Sequence, residues 1–414
     1  MPAQSSARPP GADALQLRLM ATVWLPFACS YFLSYGLRNI NAVLAPDLTR
    51  ELALSAADLG LLTSAYFFTF ALAQLPAGVL LDRYGSRRVN AALLLVAAAG
   101  CALHLVGRNF VELSIGRALV GLGVSVCLMS AVKAFAQWLP MARLPLAINL
   151  LLMFGGLGAM VAAGPVGWAL DVISWRAVFG IAAAMFVAAS AFLYFVVPDR
   201  REARAGDSFL KLAAGFAEIY SSPRFWRLGG MMAVIAGTFS AVHSLWVGPW
   251  LRDVGGLGRE QVVVVLTGFA LAGTIGFAAT GAVFDWLIRH GVRPIRVYKF
   301  HTGISILSFA LIAFGGGALA LPVWVVYFFL GSGGSLVLTM LARAFSADLT
   351  GRVNTATNVL IFGPSFFVQW GIGVVLDQWP VMEGHYAAAG YQAAFGALLA
   401  VQLVCYAIML IGER

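Results

Sequence analysis

The sequence predicts an all-α membrane protein of twelve transmembrane helices, folded as two pseudo-symmetric six-helix bundles. Three observations predict it. The first is composition: of 414 residues, 61% are hydrophobic and 11% charged, with a mean hydropathy of +0.86. A soluble domain carries roughly 25% charge, so a soluble enzyme, an immunoglobulin-like module and a disordered regulator are excluded. The second is that the apolar stretches are continuous and about 20 residues long, enough for a helix to cross the hydrocarbon core. A transmembrane barrel would instead show alternating strands of about ten residues. The third is an internal repeat, described below.

In chain order the spans are expected at 20–44, 58–81, 89–107, 110–134, 145–169 and 176–197. After a polar stretch come 227–251, 261–285, 297–317, 321–343, 354–377 and 389–411. The domains are therefore a tail (1–19), a first bundle (20–197), a linker (198–226), a second bundle (227–411) and a C-terminus (412–414). The tail has arginines but no apolar core or small-residue cleavage site of a signal peptide, so the first span is expected to stay in the mature chain. Cys29, Cys101, Cys127 and Cys405 all fall inside apolar runs, at no zinc-binding spacing, and read as small apolar side chains.

Charge orients the spans. Of 27 Lys and Arg residues, Arg50, Arg108, Arg176, Arg252 and Arg259 fall in one set of loops, and Arg38 and Arg117 fall within spans. The remaining 20 fall in the alternate loops and the termini. Because cytoplasmic loops attract basic residues, both termini are expected in the cytoplasm of a cell whose inner membrane holds the chain. The net charge of +9 is then a topology signal and not a nucleic-acid footprint.

The repeat relates the two halves. Gly78-Val-Leu-Leu-Asp82 after the second span is matched by Gly281-Ala-Val-Phe-Asp285 after the eighth. Arg143, Ala147 and Asn149 before and within span five match Arg352, Ala356 and Asn358. Gly167-Trp-Ala-Leu-Asp171 matches Gly373-Val-Val-Leu-Asp377, and Trp175-Arg-Ala-Val-Phe179-Gly180 matches Tyr391-Gln-Ala-Ala-Phe395-Gly396. Duplicated bundles facing one another leave a cavity at their seam, and rocking about it moves solutes.

The loop Gly78-x-x-x-Asp82-Arg83-x-Gly85-x-Arg87-Arg88 resembles the signature loop of the major facilitator superfamily of secondary transporters. Arg117-x-x-x-Gly121-x-Gly123 and Gly164-Pro165-x-Gly167 resemble its second and third motifs. The second-half copy of the loop has Trp286 where Arg is usual, and Trp168 replaces the third motif's last glycine. The resemblance covers essentially the whole chain. It implies alternating access, with Asp82 meeting a helix N-terminus of the other half to hold the outward-facing state, as an anion would. Arg87 and Arg88 would add pairs beside it. Gly78, Arg83, Gly85, Asp285, Gly164 and Pro165 complete the expected gating set. The alternative for Asp82 is a plain helix cap beside a topology-setting basic cluster.

Substrate candidates come from polar residues inside spans. No Asp or Glu lies near the middle of a span, which argues against a carboxylate proton relay. Arg38 and Arg117 do lie within spans, and a central Arg costs about 2.5–3.5 kcal/mol, so each needs a partner or a wet cavity. Two guanidiniums without a buried carboxylate imply an anionic substrate. Tyr31, Tyr35 and Arg38 share a helical face; the alternative for Arg38 is snorkelling to the headgroups, and for Arg117 a structural role. In span seven Phe239, His243, Trp246 and Trp250 form an aromatic face. There His243 and Trp246 read as cavity lining, Trp250 reads as interfacial, and the alternative for His243 is hydrogen-bonded packing. In span eleven Asn358, Phe362, Ser365 and Gln369 form a polar stripe, lining the cavity or bonding helix to helix. His104 and His301 read as headgroup contacts.

No metalloprotease, phosphate-loop or CxxC motif is present in the sequence, so the expected protein is not an enzyme and uses no cofactor. The reading is a monomeric secondary transporter of a small organic anion, with a proton or counter-anion as coupling partner. The alternatives are a carrier of a larger amphipathic metabolite, drug or siderophore, and a transporter-like solute sensor.

Overall fold

The computed structural model describes residues 18–199, 209–315, 320–331, 333–342, 344–346 and 349–411. The expected C-terminus, nearly all of the N-terminal tail, and Arg200, Arg201, Arg204 and Arg343 of the basic loops lie outside the described residues. Among these residues the helices form twelve rods. In the first half α1 covers 20–52, α2 Ala56–Tyr84, α3 Ser86–Val106, α4 Phe110–Trp138, α5 Leu144–Ala169 and α6 Trp175–Val196. In the second, α7 is Pro223–Asp253, α8 Arg259–Arg289 and α9 Pro294–Phe314. Then α10 runs through Ala320–Leu330 and Gly334–Ala342, α11 is Thr350–Leu376 and α12 Ala388–Ile411. The chain is a multi-pass membrane protein.

Local chemistry sets the ends. Ser55 and Asp58 form a reciprocal capping box at the start of α2. Asn109 and Ser174 cap α4 and α6 by accepting from the Glu112 and Ala177 N–H groups at 2.9 and 3.2 Å. α7 and α9 begin at proline and α5 has Pro145 as its second residue; the missing N–H is no loss in a first turn. The first helix continues to Leu52, beyond the expected end at 44. The second half opens at Pro223, earlier than 227, and the linker holds a short helix, Phe209–Tyr220. Its Tyr220 hydroxyl donates to the Ala356 carbonyl of α11 at 3.3 Å.

Four rods are interrupted, and they are the first and fourth of each half. α1 breaks at Ile40, α4 at Ser125–Val126, α10 after Leu330, and α7 widens into a π-turn at Val242–Trp246. Such breaks are tolerated at membrane depth where backbone faces protein or a cavity. The two halves meet chiefly where α2 packs along α11 and α5 along α8. Two faces can then be named. The linker face carries Gly85, Asp199 and the linker helix; the far face carries Asp171, Asp253 and Asp377.

Three sequence expectations fail on burial. His104 is 1% exposed, bonded through Nδ1 to the Gly100 carbonyl at 2.9 Å and stacked on Phe179. His301 is buried against Phe284 and Gly333, and Trp250 is buried against Trp324. None of the three reaches a headgroup, because each sits on the inner side of its helix.

Candidate functional site

Arg38 lies at the seam, half-buried, inside an aromatic cage. Its guanidinium carbon is 5.1, 6.0, 5.2 and 4.9 Å from the ring centroids of Tyr35, Tyr66, Phe70 and Phe362, and its Nε donates to the Tyr66 hydroxyl at 3.4 Å. Phe362 comes from the second half, and its ring packs 4.3 Å from that of Phe70. Among the described residues no carboxylate pairs with Arg38. Cation–π contact with each ring contributes about 0.5–2 kcal/mol, which offsets part of the burial cost and leaves the guanidinium's hydrogen-bonding fork largely unused.

Polar side chains bridge the seam beside the cage. Asn358 donates through Nδ2 to Gln74 Oε1 at 3.2 Å, and Gln74 donates to the Ser125 carbonyl at 3.1 Å, where α4 breaks. Gln369 donates to the Thr63 hydroxyl and accepts from Ser244 Oγ at 3.1 Å. The Trp246 indole donates to the Gln369 carbonyl at 2.9 Å and is fully buried. Asn358 and Gln369 thus bond the halves together in this conformation, and Trp246 holds Gln369 from within the second half.

Tyr31, Tyr35 and His243 line a cavity between the halves with Phe239, Phe269 and Phe328. It has about 30 Å³ of free space, room for a water or two. His243 sits in the π-turn of α7, its ring 5.3 and 4.8 Å from Phe239 and Phe328. Arg117 lies elsewhere. It is 2% exposed within the first half, and its Nη1 donates to the Leu37 carbonyl at 3.0 Å. It reaches the cage only through Tyr66, whose ring it faces at 6.0 Å.

Sequence reading passed over α2. Tyr66, Phe70 and Gln74 recur at every fourth position, and Thr63 falls on the same face. That stripe, with Gln74 as its mid-span polar member, was the available signal.

At the far face the seam is shut. Asp377, after α11, accepts from the Ala56 and Ala57 N–H groups at 2.8 and 2.9 Å, capping α2 of the other half. Arg259 of α8 forks onto Asp47 at 3.2 and 3.4 Å and approaches Asp171 at 3.4 Å. The Gly248 backbone lies so close to α1 that a Cβ there would stand 1.9 Å from the Ala42 carbonyl oxygen. Gly164, beside Pro165 in α5, faces Thr267 of α8.

At the linker face the expected gating residues stay within their own halves. Asp82 pairs with Lys133, Arg87 and Arg88 reach Asp199 at 3.1 and 2.7 Å, and Arg83 lies over the Tyr84 ring. Asp285 approaches Arg289 at 3.9 Å. Gly78 and Gly281 face open space, and Gly85 takes a positive φ of 81° at the α2–α3 turn. Asp82 therefore does not meet a helix start of the second half here; the contact expected of it is made by Asp377 on the opposite face.

The profile of the Major Facilitator Superfamily matches residues 27–369. The chain belongs to this superfamily. Among similar proteins, the probable sulfoacetate transporter of Cupriavidus necator is 24% identical, with 86% of this chain and 79% of that one covered. The hexuronate transporter of Bacillus subtilis is 23% identical, covering 90% and 92%. The gallate transporter of Pseudomonas putida is 24% identical, covering 69% of each. Of solved structures, a bacterial homologue of the human lysosomal transporter Spinster matches with a TM-score of 0.77 at 17% identity, covering 99% of this chain and 98% of the other. The nucleoside transporter NupG matches with a TM-score of 0.75 at 13% identity, covering 95% and 99%. These likenesses establish the superfamily fold for this chain.

Proposed function

We propose that this superfamily member is a secondary transporter of a small organic anion in a bacterial inner membrane. Arg38 binds the substrate's carboxylate. The observation that carries this reading is the Arg38 guanidinium at the seam, held by rings and by one long hydrogen bond, with no carboxylate partner among the described residues. A bidentate anion satisfies the unused fork better than any neutral ligand. Aromatic walls at Tyr35 and Phe362 suit a carboxylate with a ring or other flat body. Relatives named for hexuronate, gallate and sulfoacetate transport support the same substrate class.

Transport proceeds by alternating access. The linker face is cytoplasmic, on the strength of the basic-residue bias, so the far-face contacts close the outside and this conformation faces inward. Asp82, Asp285 and the glycines beside them serve the outward-facing state. With no mid-span carboxylate, His243 is the side chain placed to carry a coupling proton.

The test is uptake of labelled galacturonate, gallate and sulfoacetate into proteoliposomes, with thermal stabilisation by the same compounds read in parallel. The expected result is saturable uptake by at least one of them and stabilisation by it, both lost in Arg38→Ala. Stabilisation by neutral or cationic solutes that survives in Arg38→Ala would overturn the anion reading. Ligand binding without uptake into sealed vesicles would overturn transport in favour of sensing.

A further inference from the structure

A cavity of about 710 Å³ opens at the linker face of the second half, between the starts of α7 and α9 and the ends of α8 and α10. None of the seam residues described above lines it. Its walls are apolar, from Leu228, Phe284, Ile288, Leu336 and Met340, and its mouth carries Arg224 and Arg293, with Asp285 the acid among its described lining residues.

Two of the mouth's arginines, Arg224 and Arg293, sit at helix starts. Arg224 is in the first turn of α7, and Arg293 is the N-cap of α9. Neither helix start has an acidic residue in its first turn or a side-chain cap. Two positive helix ends therefore coincide with two guanidiniums, and among the described residues neither Arg224 nor Arg293 has a carboxylate partner. The first half handles the equivalent position differently: at the start of α3, Arg87 and Arg88 share Asp199. The second half leaves this charge for an anion from outside the chain. Trp226 and Trp286, next in sequence to Arg227 and Asp285, are 49% and 58% exposed, as residues at the headgroup level of a bilayer are.

We propose that this cavity binds an anionic phospholipid, with the phosphate on Arg224 and Arg293 and an acyl chain along the Phe284–Met340 wall. A soluble anion would use the arginines but gain nothing from an apolar wall; a lipid uses both. Basic pockets between helix ends at the membrane surface recognise anionic headgroups in this way.

The experiment measures binding of phosphatidylglycerol and phosphatidylcholine to the full chain in neutral detergent by native mass spectrometry, with melting temperature as a second readout. Phosphatidylglycerol is expected to bind in preference and to raise the melting temperature. Each arginine removed should weaken this binding about fivefold, so Arg224→Gln with Arg293→Gln weakens it about 25-fold. The double variant should still show the Arg38-dependent stabilisation by carboxylates, which shows that it is folded and keeps this site separate from the seam. Arg18→Gln, which removes an exposed charge of the first half outside the cavity, should leave lipid binding unchanged. Equal weakening by Arg18→Gln would reduce the effect to diffuse surface attraction. Equal stabilisation by inorganic phosphate would make this a soluble-anion site. Absence of any preference for phosphatidylglycerol would remove the site altogether.

Discussion

Asp377→Ala should open the far face. In this conformation the Asp377 carboxylate accepts from two backbone N–H groups of α2, across the seam. Once the far face parts, water takes its place, so the contact counts toward one state only. Replacing an acidic N-cap by alanine costs about 0.5–2 kcal/mol. Asp377 is exposed, which screens the charge and sets the expected value near 1 kcal/mol, about a fivefold change in the ratio of far-closed to far-open molecules. Asp377→Asn retains one acceptor oxygen without the charge and should fall between. The assay is a pulsed electron-spin distance measurement between labels at Arg108→Cys and Glu383→Cys, exposed far-face positions in opposite halves, with the native cysteines replaced. A longer-distance population should grow in the order wild type, Asn, Ala. An unchanged distribution in a folded, monodisperse Asp377→Ala protein would falsify the assignment of this cap as a state-specific latch.

Gly248→Ala tests the same face sterically: a Cβ 1.9 Å from the Ala42 oxygen cannot be accommodated without separating α1 from α7. It too should lengthen the far-face distance, and an unchanged distance would show that the rods yield elsewhere. Arg117→Ala removes a charged hydrogen bond to a buried carbonyl, worth about 1.5–3 kcal/mol. It should lower the melting temperature while leaving the substrate KM unchanged; a raised KM at undiminished stability would mean that Arg117 touches substrate. Asp82→Asn breaks only an exposed pair with Lys133 here, worth about 0–1 kcal/mol, so expression and melting should hold while uptake falls. Normal uptake at normal expression would show that the carboxylate has no role in the cycle.

Much of this was legible in the sequence because the bilayer imposes simple rules. Twelve apolar runs, a basic-residue bias and paired Gly-x-x-x-Asp segments follow from length, field and backbone satisfaction, each of which acts on short stretches of chain. Arg38 stood out by the same logic, since a mid-span charge must face something. What could not be read was which faces meet. Trp250 and His104 looked interfacial because depth can be counted along a helix, whereas burial against Trp324 or Phe179 depends on how that helix is rotated. Arg117 and Arg38 share a depth and a residue type, yet one is held by the Leu37 carbonyl inside its own bundle and the other lies at the seam. Gln74, Tyr66 and Thr63 were missed for a related reason: uncharged side chains at membrane depth carry no large penalty to betray them, and only the packed structure reveals that Gln74 and Thr63 bond across the seam and Tyr66 bonds Arg38.

The four Gly-x-x-x-Asp segments make one pattern. Two end α2 and α8 at the linker face, with Asp82 and Asp285; two end α5 and α11 at the far face, with Asp171 and Asp377. Here the far-face pair engages the opposite half, one through Arg259 and one through the start of α2, while the linker-face pair is held by Lys133 and Arg289 of its own half. A carboxylate with a partner in its own half is solvated and neutralised while it waits, so letting go of the opposite half does not strand a bare charge. On the alternating-access reading, Asp82 and Asp285 return to Lys133 and Arg289 when the linker face opens, and water replaces the contacts of Asp171 and Asp377 when the far face opens. A cap worth about 1 kcal/mol suits this arrangement. Latches several times stronger would hold one face shut against any substrate whose differential affinity for the two states is a few kcal/mol. The weakness of each exposed contact, and its repetition at four helix ends, is what the alternating-access reading requires of them.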